Sequence, residues 1–317
     1  YMKTRNKLLT LLALSAGTAA ATAVVNKCIK IAATSRNLLS ESESLCFKWR
    51  LGNIHYTKTG SGKPLLLIHD LTPASSGFEW HYLIDKLSQS YTVYTMDLLG
   101  CGRSEKPNLT YTNYLYVQLI SDFIQSEIGH RTDVIATGSS SSLIVMACAN
   151  RSELFDRLML INPDTILSCS QVPGKHAKLY KVILDLPVIG TLLYYISVSR
   201  KALTEEFQKN NYYNPYSVRS STIDAYLEAA HLGESPKSIY ASVHCLYTKC
   251  NIVNALKKID NSISLLGGDG IDFMKERLQE YQEYNSAIEY SLIPNTKRLP
   301  HMENPAAVLK YIETYFS

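Results

Sequence analysis

Four consecutive serines, Ser139 to Ser142, follow Gly138 between a short apolar run at residues 134–136 and a helical pattern at 141–150. A hydroxyl on a sharp strand-to-helix turn can act as a nucleophile. The turn exposes it, and the helix N-terminus favours the negative charge that develops on attack. Such a turn brings the backbone close to itself and requires small residues two before and two after the reacting one. Gly138 and Ser142 meet that requirement around Ser140. The same run would also serve as an ordinary helix cap, its hydroxyls spent on backbone amides. A serine nucleophile needs a base, and the base needs an orienting carboxylate. His69 ends an apolar run, His231 and His244 lie in a long helical stretch, and His301 follows Leu299-Pro300 near the C-terminus.

The elements that would hold these groups follow from hydrophobic periodicity. Apolar runs at 65–68, 91–96, 134–136, 158–161, 263–266 and 288–292 alternate with amphipathic segments such as 114–128 and 141–150. Strands alternating with helices predict an α/β fold, a doubly wound and mostly parallel sheet covered on both faces. Residues 47–50 and 54–58 flank Leu51-Gly52-Asn53 and predict a hairpin ahead of the parallel part. From about residue 165 to 258 helical periodicity continues without a strand, which predicts a helical insertion seated on the sheet.

The chain is 46% hydrophobic and 19% charged, with a formal net charge of +4. No basic run interleaved with aromatics is present, so nothing points to nucleic acid. The seven cysteines include no C-x-x-C pair and several sit in apolar stretches, which predicts reduced, structural thiols. There is no H-E-x-x-H, phosphate loop or Gly-rich dinucleotide fingerprint, so no metal or cofactor is expected. Residues 8–25 carry no charge and are flanked by Lys3, Arg5 and Lys7 on one side and Lys27 and Lys30 on the other. Eighteen such residues can just cross a bilayer core of about 30 Å. A retained membrane anchor and a cleaved signal peptide both fit this pattern, and positive charge at both ends leaves the orientation open. The expected organisation is a membrane or signal segment at 1–30, a polar linker at 31–45 and one catalytic-type domain at 46–317.

Three local patterns carry a family resemblance. The first is Gly60-Ser61-Gly62-Lys63-Pro64 leading through Leu65 to His69, with Trp80 beyond. The second is Asp97-Leu98-Leu99-Gly100-Cys101-Gly102-Arg103-Ser104. The third is the Gly138 to Ser142 run, followed by Leu160-Ile161-Asn162-Pro163. In this order and spacing they resemble the α/β-hydrolase superfamily, close to its haloperoxidase- and esterase-like members, over roughly residues 50–317. The resemblance implies the α/β-hydrolase fold with the helical insertion as a lid. It makes Ser140 the elbow nucleophile, with the amides of Leu71 and Ser141 as the oxyanion hole.

The chain departs from that pattern at four places. Arg298 stands where the family has its histidine, and arginine stays protonated and cannot act as a base. Gly270 stands where the acid is usual, Asp70 where His-Gly is usual, and Ser142 where a glycine is usual. The remaining candidates are His301 as base and Asp269, or alternatively Asp164, as the acid. Asp70 reads as an ordinary turn aspartate. The expectation is a membrane-associated serine hydrolase that cleaves an ester or acyl bond of a small apolar substrate. The alternative is a member of the fold impaired in catalysis, binding a ligand or partner through the same pocket.

Overall fold

A computed structural model describes residues 2–40 and 44–316, with side chains from residue 17 onward. Eight strands form one sheet: β1 (Ser44–Trp49), β2 (Gly52–Thr59), β3 (Lys63–Ile68), β4 (Tyr91–Met96), β5 (Thr132–Thr137), β6 (Phe155–Ile161), β7 (Ile263–Gly268) and β8 (Glu289–Ile293). Their spatial order is β1-β2-β4-β3-β5-β6-β7-β8. The β1–β2 and β2–β4 pairs are antiparallel, and every pair from β4 through β8 is parallel. The predicted hairpin is therefore β1–β2, closed with Trp49 opposite Gly52.

The strands are apolar on both sides because helices cover both faces. Alternate residues of β3 show this directly. Leu66 and Ile68 pack into the larger cluster, whereas Leu65 and Leu67 join Trp80, Val308, Ile312 and Phe316 on the opposite face. The helices, in chain order, include α1 (Met2–Thr34), α2 (Asn113–Phe123), α3 (Ser140–Asn150), α4 (Ala177–Asp185), α5 (Ile189–Ser197), α6 (Arg200–Glu206), α7 (Ser220–His231), α8 (Pro236–His244), α9 (Met274–Tyr284) and α10 (Pro305–Phe316). Thr112 caps α2 by accepting from Leu115 N at 3.3 Å, and the buried stripe Leu115, Leu119, Ile120 and Phe123 faces the core. Between β6 and β7 the described residues contain helices and turns but no strand.

The N-terminal segment differs from the expected anchor followed by a loose linker. α1 runs to Thr34, and its end docks on the domain: Asn26 Nδ2 donates to Val188 O at 3.1 Å and Arg36 pairs with Asp224 at 2.6 Å. Leu39 is buried beside Ala225 and Ala229, and the amides of Leu38 and Leu39 donate to Glu228. Apolar Leu39 and the buried carboxylate of Glu228 together fix a stretch whose serines suggested a spacer. Residues 41–43 of that stretch, and the side chains of residues 8–16 of the expected anchor, lie outside the described residues. Among the described residues, no single helix is long and apolar enough to cross a membrane. Cys101, Cys148, Cys169, Cys245 and Cys250 are buried free thiols, while Cys28 and Cys46 are exposed.

Candidate active site

β5 ends at Thr137, and the chain must reverse direction at once to enter α3. The residue that makes this turn is Gly138, with φ +54, a left-handed backbone that glycine adopts without penalty. Its amide donates to Ile161 O at 2.9 Å, which ties the pivot to β6. Ser139 follows with ordinary helical angles (φ −65, ψ −25), so Ser140 is already a regular first residue of α3. Helical side chains lean back towards the N-terminus. The Ser140 hydroxyl accordingly turns inward, donates to His69 O at 2.7 Å and is fully buried. The pivot therefore stands two residues earlier than the sequence pattern suggested, and Ser140 does not present a free hydroxyl.

Most of the other predicted groups are engaged elsewhere as well. The Ser141 amide donates to Gly138 O at 3.1 Å, a turn bond that takes it away from any oxyanion. Leu71 is buried in the core just past Asp70. His301 is fully buried against Trp80, with ring centroids 4.7 Å apart, and its Nε2 lies 3.8 Å from Glu79 Oε2. Among the described residues neither of its ring nitrogens has a hydrogen-bond partner, so no Ser140–His301 couple exists there. Asp269 is exposed and accepts from Asn295 N at 2.7 Å, bracing a loop. A Cβ on Gly270 would meet the Tyr213 ring at 2.5 Å, which explains why no acid stands there. Ser140, His301 and Asp269 are thus not brought together, and the Ser141 amide, one of the two expected oxyanion donors beside that of Leu71, is engaged by Gly138 O.

What the fold does bring together is a different cluster. The Asp70 carboxylate sits against the pivot: Oδ1 accepts from Ser139 N at 2.9 Å, and Oδ2 pairs with Arg298 Nη2 at 2.7 Å. A Cβ built on Gly138 would lie 2.3 Å from Asp70 Oδ1. No side chain at 138 can coexist with the carboxylate in this position. Asp70 itself is nearly buried, whereas about two-fifths of the Arg298 side chain is exposed (39%). Asp70 raises the Arg298 guanidinium above its ordinary value despite burial, so the guanidinium stays charged at any working pH. Asp70 is therefore not an ordinary turn aspartate.

Asp164 holds the far side of the pivot. Its Oδ2 accepts from Ser139 Oγ at 2.9 Å and from Lys249 Nζ at 2.7 Å. Burial pushes its carboxyl up, but Lys249 and the Ser139 hydroxyl outweigh that and hold it below the usual carboxylate range. A carboxyl depressed in the folded state adds stability above its unfolded pKa, about 3.9, and that contribution is lost as pH falls through the folded value. Lys249→Met is expected to lower the urea midpoint at neutral pH. The gap to wild type should close as the pH drops below about 4, the point at which the unfolded carboxyl protonates. A gap that stays constant down to pH 2 would show that the ion pair is not its source.

Above the pivot lies a cavity of about 350 Å³ lined by Asp70, Ser75, Glu79 and Arg298 at its floor and by Val198, Leu203, Phe207 and Tyr226 from the helical insertion. Tyr226 Oη donates to Glu79 Oε1 at 3.1 Å. Burial pushes the Glu79 carboxyl up, but the neighbouring His301 and His69 rings, aided by Ser75, hold it below the ordinary range. Sequence reasoning missed Gly138 as pivot, and Ser139, Glu79 and Lys249 as members of the cluster. One signal was present: Gly138 is the only glycine in the run, and so the only residue suited to a left-handed turn.

A family model described as "Alpha/beta hydrolase family" matches residues 65–310. A soluble epoxide hydrolase from Corynebacterium sp. (strain C12) is 24% identical over 275 residues, covering 83% of this chain and 93% of that protein. A 2-hydroxy-6-oxo-6-(2'-aminophenyl)hexa-2,4-dienoic acid hydrolase from Metapseudomonas resinovorans is 29% identical over 108 residues, but the match spans only 33% of this chain and 37% of that protein. Among solved structures, a bacterial membrane phospholipase A superposes with a TM-score of 0.67 at 18% identity, covering 100% of this chain and 98% of that one. The sequence-based leaning towards a hydrolase agrees with these names.

Proposed function

The chain belongs to the alpha/beta hydrolase family, and on that footing we propose that its former reaction centre now serves as a binding pocket for a small apolar ligand. One observation carries this reading. The Asp70 carboxylate, neutralised by Arg298, fills the space that a nucleophilic side chain at the pivot would need and takes the Ser139 amide for itself. The amide after the pivot is the donor that an oxyanion requires. An internal carboxylate on that donor stands in for the charged intermediate and opposes formation of a real one. The cavity keeps apolar walls and a polar floor, the usual make-up of a small-ligand site. In this reading the helical insertion is its lid. α1 is the membrane attachment, supported by the uncharged run at 8–25 and by a helix 33 residues long.

A second reading keeps hydrolysis within the chain, and the Ser139–Asp164 hydrogen bond favours it. Ser139 is only partly buried and would be the reacting hydroxyl, with Asp164 as its acceptor. A fluorophosphonate probe separates the two on the full-length protein, alongside Ser139→Ala and Ser140→Ala. The binding reading expects no labelling of wild type between pH 6 and 9. Labelling abolished by Ser139→Ala would establish the second reading. Labelling abolished only by Ser140→Ala would return the nucleophile to the position first expected and overturn both.

A further inference from the structure

α4 and α5 leave an apolar surface uncovered. Leu179, Val182 and Ile183 on α4 and Leu186 just after it recur at helical spacing, and each is between 40 and 60% exposed. Ile189, Leu193 and Ile196 do the same on α5, between 42 and 59% exposed. The helices meet at 102° and touch tightly, since a Cβ on Gly190 would lie 2.1 Å from Leu184 O. Their stripes therefore merge into one broad face. Contiguous apolar surface of this kind on a water-soluble domain marks a contact site.

Three observations identify what covers it. First, Val188, at the corner between α4 and α5, accepts from Asn26 of α1, so the uncharged run of α1 leads directly to this face. Second, the charge at its margin is positive: Lys175 and Lys178 are exposed at the start of α4, α5 carries no charge, and Asp185 is neutralised by Lys181 at 2.6 Å. Third, each helix has nine residues, about 13 Å, against a bilayer core of about 30 Å, and the bend of 102° sets the run that begins with α5 across α4 rather than in line with it. An apolar face with a basic margin, built on two short helices at a sharp bend, suits the headgroup–acyl boundary of an anionic bilayer.

We propose that the α4–α5 corner lies in the interfacial layer of an anionic membrane, as a second attachment beside α1, so that the pocket draws its ligand from the bilayer. The proposal rests on the membrane reading of α1 and extends it to the lid. The link to the pocket is direct: Ser197, at the end of α5, and Val198 after it line the cavity.

The test uses the full-length chain with Cys28→Ser and Cys46→Ser to remove the exposed thiols. Single cysteines are introduced at Val182, at Ile189 and, as a reference on the exposed side of α9, at Gln279, and each is labelled with bimane. The protein is reconstituted in vesicles of equal parts phosphatidylcholine and phosphatidylglycerol, with or without doxyl-labelled lipid. Labels at 182 and 189 are expected to lose at least half of their emission to the doxyl lipid while the label at 279 loses little. If the chain floats with the vesicles and all three labels respond alike, the corner does not enter the bilayer although α1 does. If the chain fails to float, the α1 reading fails first and the proposal falls with it. Strong quenching in doxyl-labelled phosphatidylcholine alone would remove the requirement for anionic lipid and overturn that part.

Discussion

Arg298→Ala is expected to destabilise the protein by about 3 kcal/mol, a drop in midpoint temperature of roughly 5 °C for a domain of this size. Among the described residues Arg298 is the sole cation paired with the Asp70 carboxylate, at 2.7 Å, and that carboxylate is only 4% exposed. Removing one partner of a buried ion pair strands the other charge, which costs about 3–5 kcal/mol; the partly hydrated guanidinium argues for the lower end. Asp70→Asn should cost much less, because the amide oxygen can still accept from Ser139 N. The double variant, Asp70→Asn with Arg298→Ala, should recover about 2 kcal/mol relative to Arg298→Ala, a coupling within the range seen for contacting residues. Arg298→Lys should not substitute fully, since an ammonium lacks the planar fork. Urea denaturation of the four proteins checks this. An Arg298→Ala midpoint within error of wild type would mean that Asp70 is solvated or protonated, and the account of the pivot would lose its basis.

The sheet was legible because both of its faces are buried. Runs such as 91–96 and 263–266 coincide with β4 and β7, since a parallel strand covered by helices has little room for polar residues. The hairpin and the strand-free stretch between β6 and β7 were legible for equally local reasons, a turn signal in one case and an unbroken helical period in the other. The site was legible in its parts but not in its register. Gly138 to Ser142 offers several hydroxyls in a row, and composition cannot say which follows the pivot; only the φ of +54 at Gly138 does. Asp70 and Arg298 each stood out as departures, yet their pairing across 228 positions is a property of the closed fold. His301 was the candidate left because it lies three residues beyond Arg298, which stands where the family has its histidine. Packing against Trp80 removed it from reach.

The same geometry makes a gain of function predictable. Gly138→Ser alone is expected to remain unreactive, and to be less stable, because its Cβ would press on Asp70 Oδ1 from 2.3 Å and its backbone would be held left-handed. Adding Asp70→Gly clears that space and frees the Ser139 amide; adding Arg298→His returns a titratable ring to the position the guanidinium holds. Asp164 is already close to the turn through Ser139. The triple variant should react with a fluorophosphonate at position 138 and hydrolyse p-nitrophenyl acetate on the order of 10³-fold faster than the spontaneous reaction, the level that binding and an oxyanion hole supply before a triad is optimised. Mass spectrometry of the labelled peptide distinguishes position 138 from 139 and 140, and circular dichroism verifies that each variant is folded. If the folded triple variant reacts no better than wild type, position 138 is not the reacting place in this fold. If Gly138→Ser reacts equally well with Asp70 and Arg298 intact, the carboxylate is no obstacle, and the pocket was never closed to chemistry in the way its geometry implies.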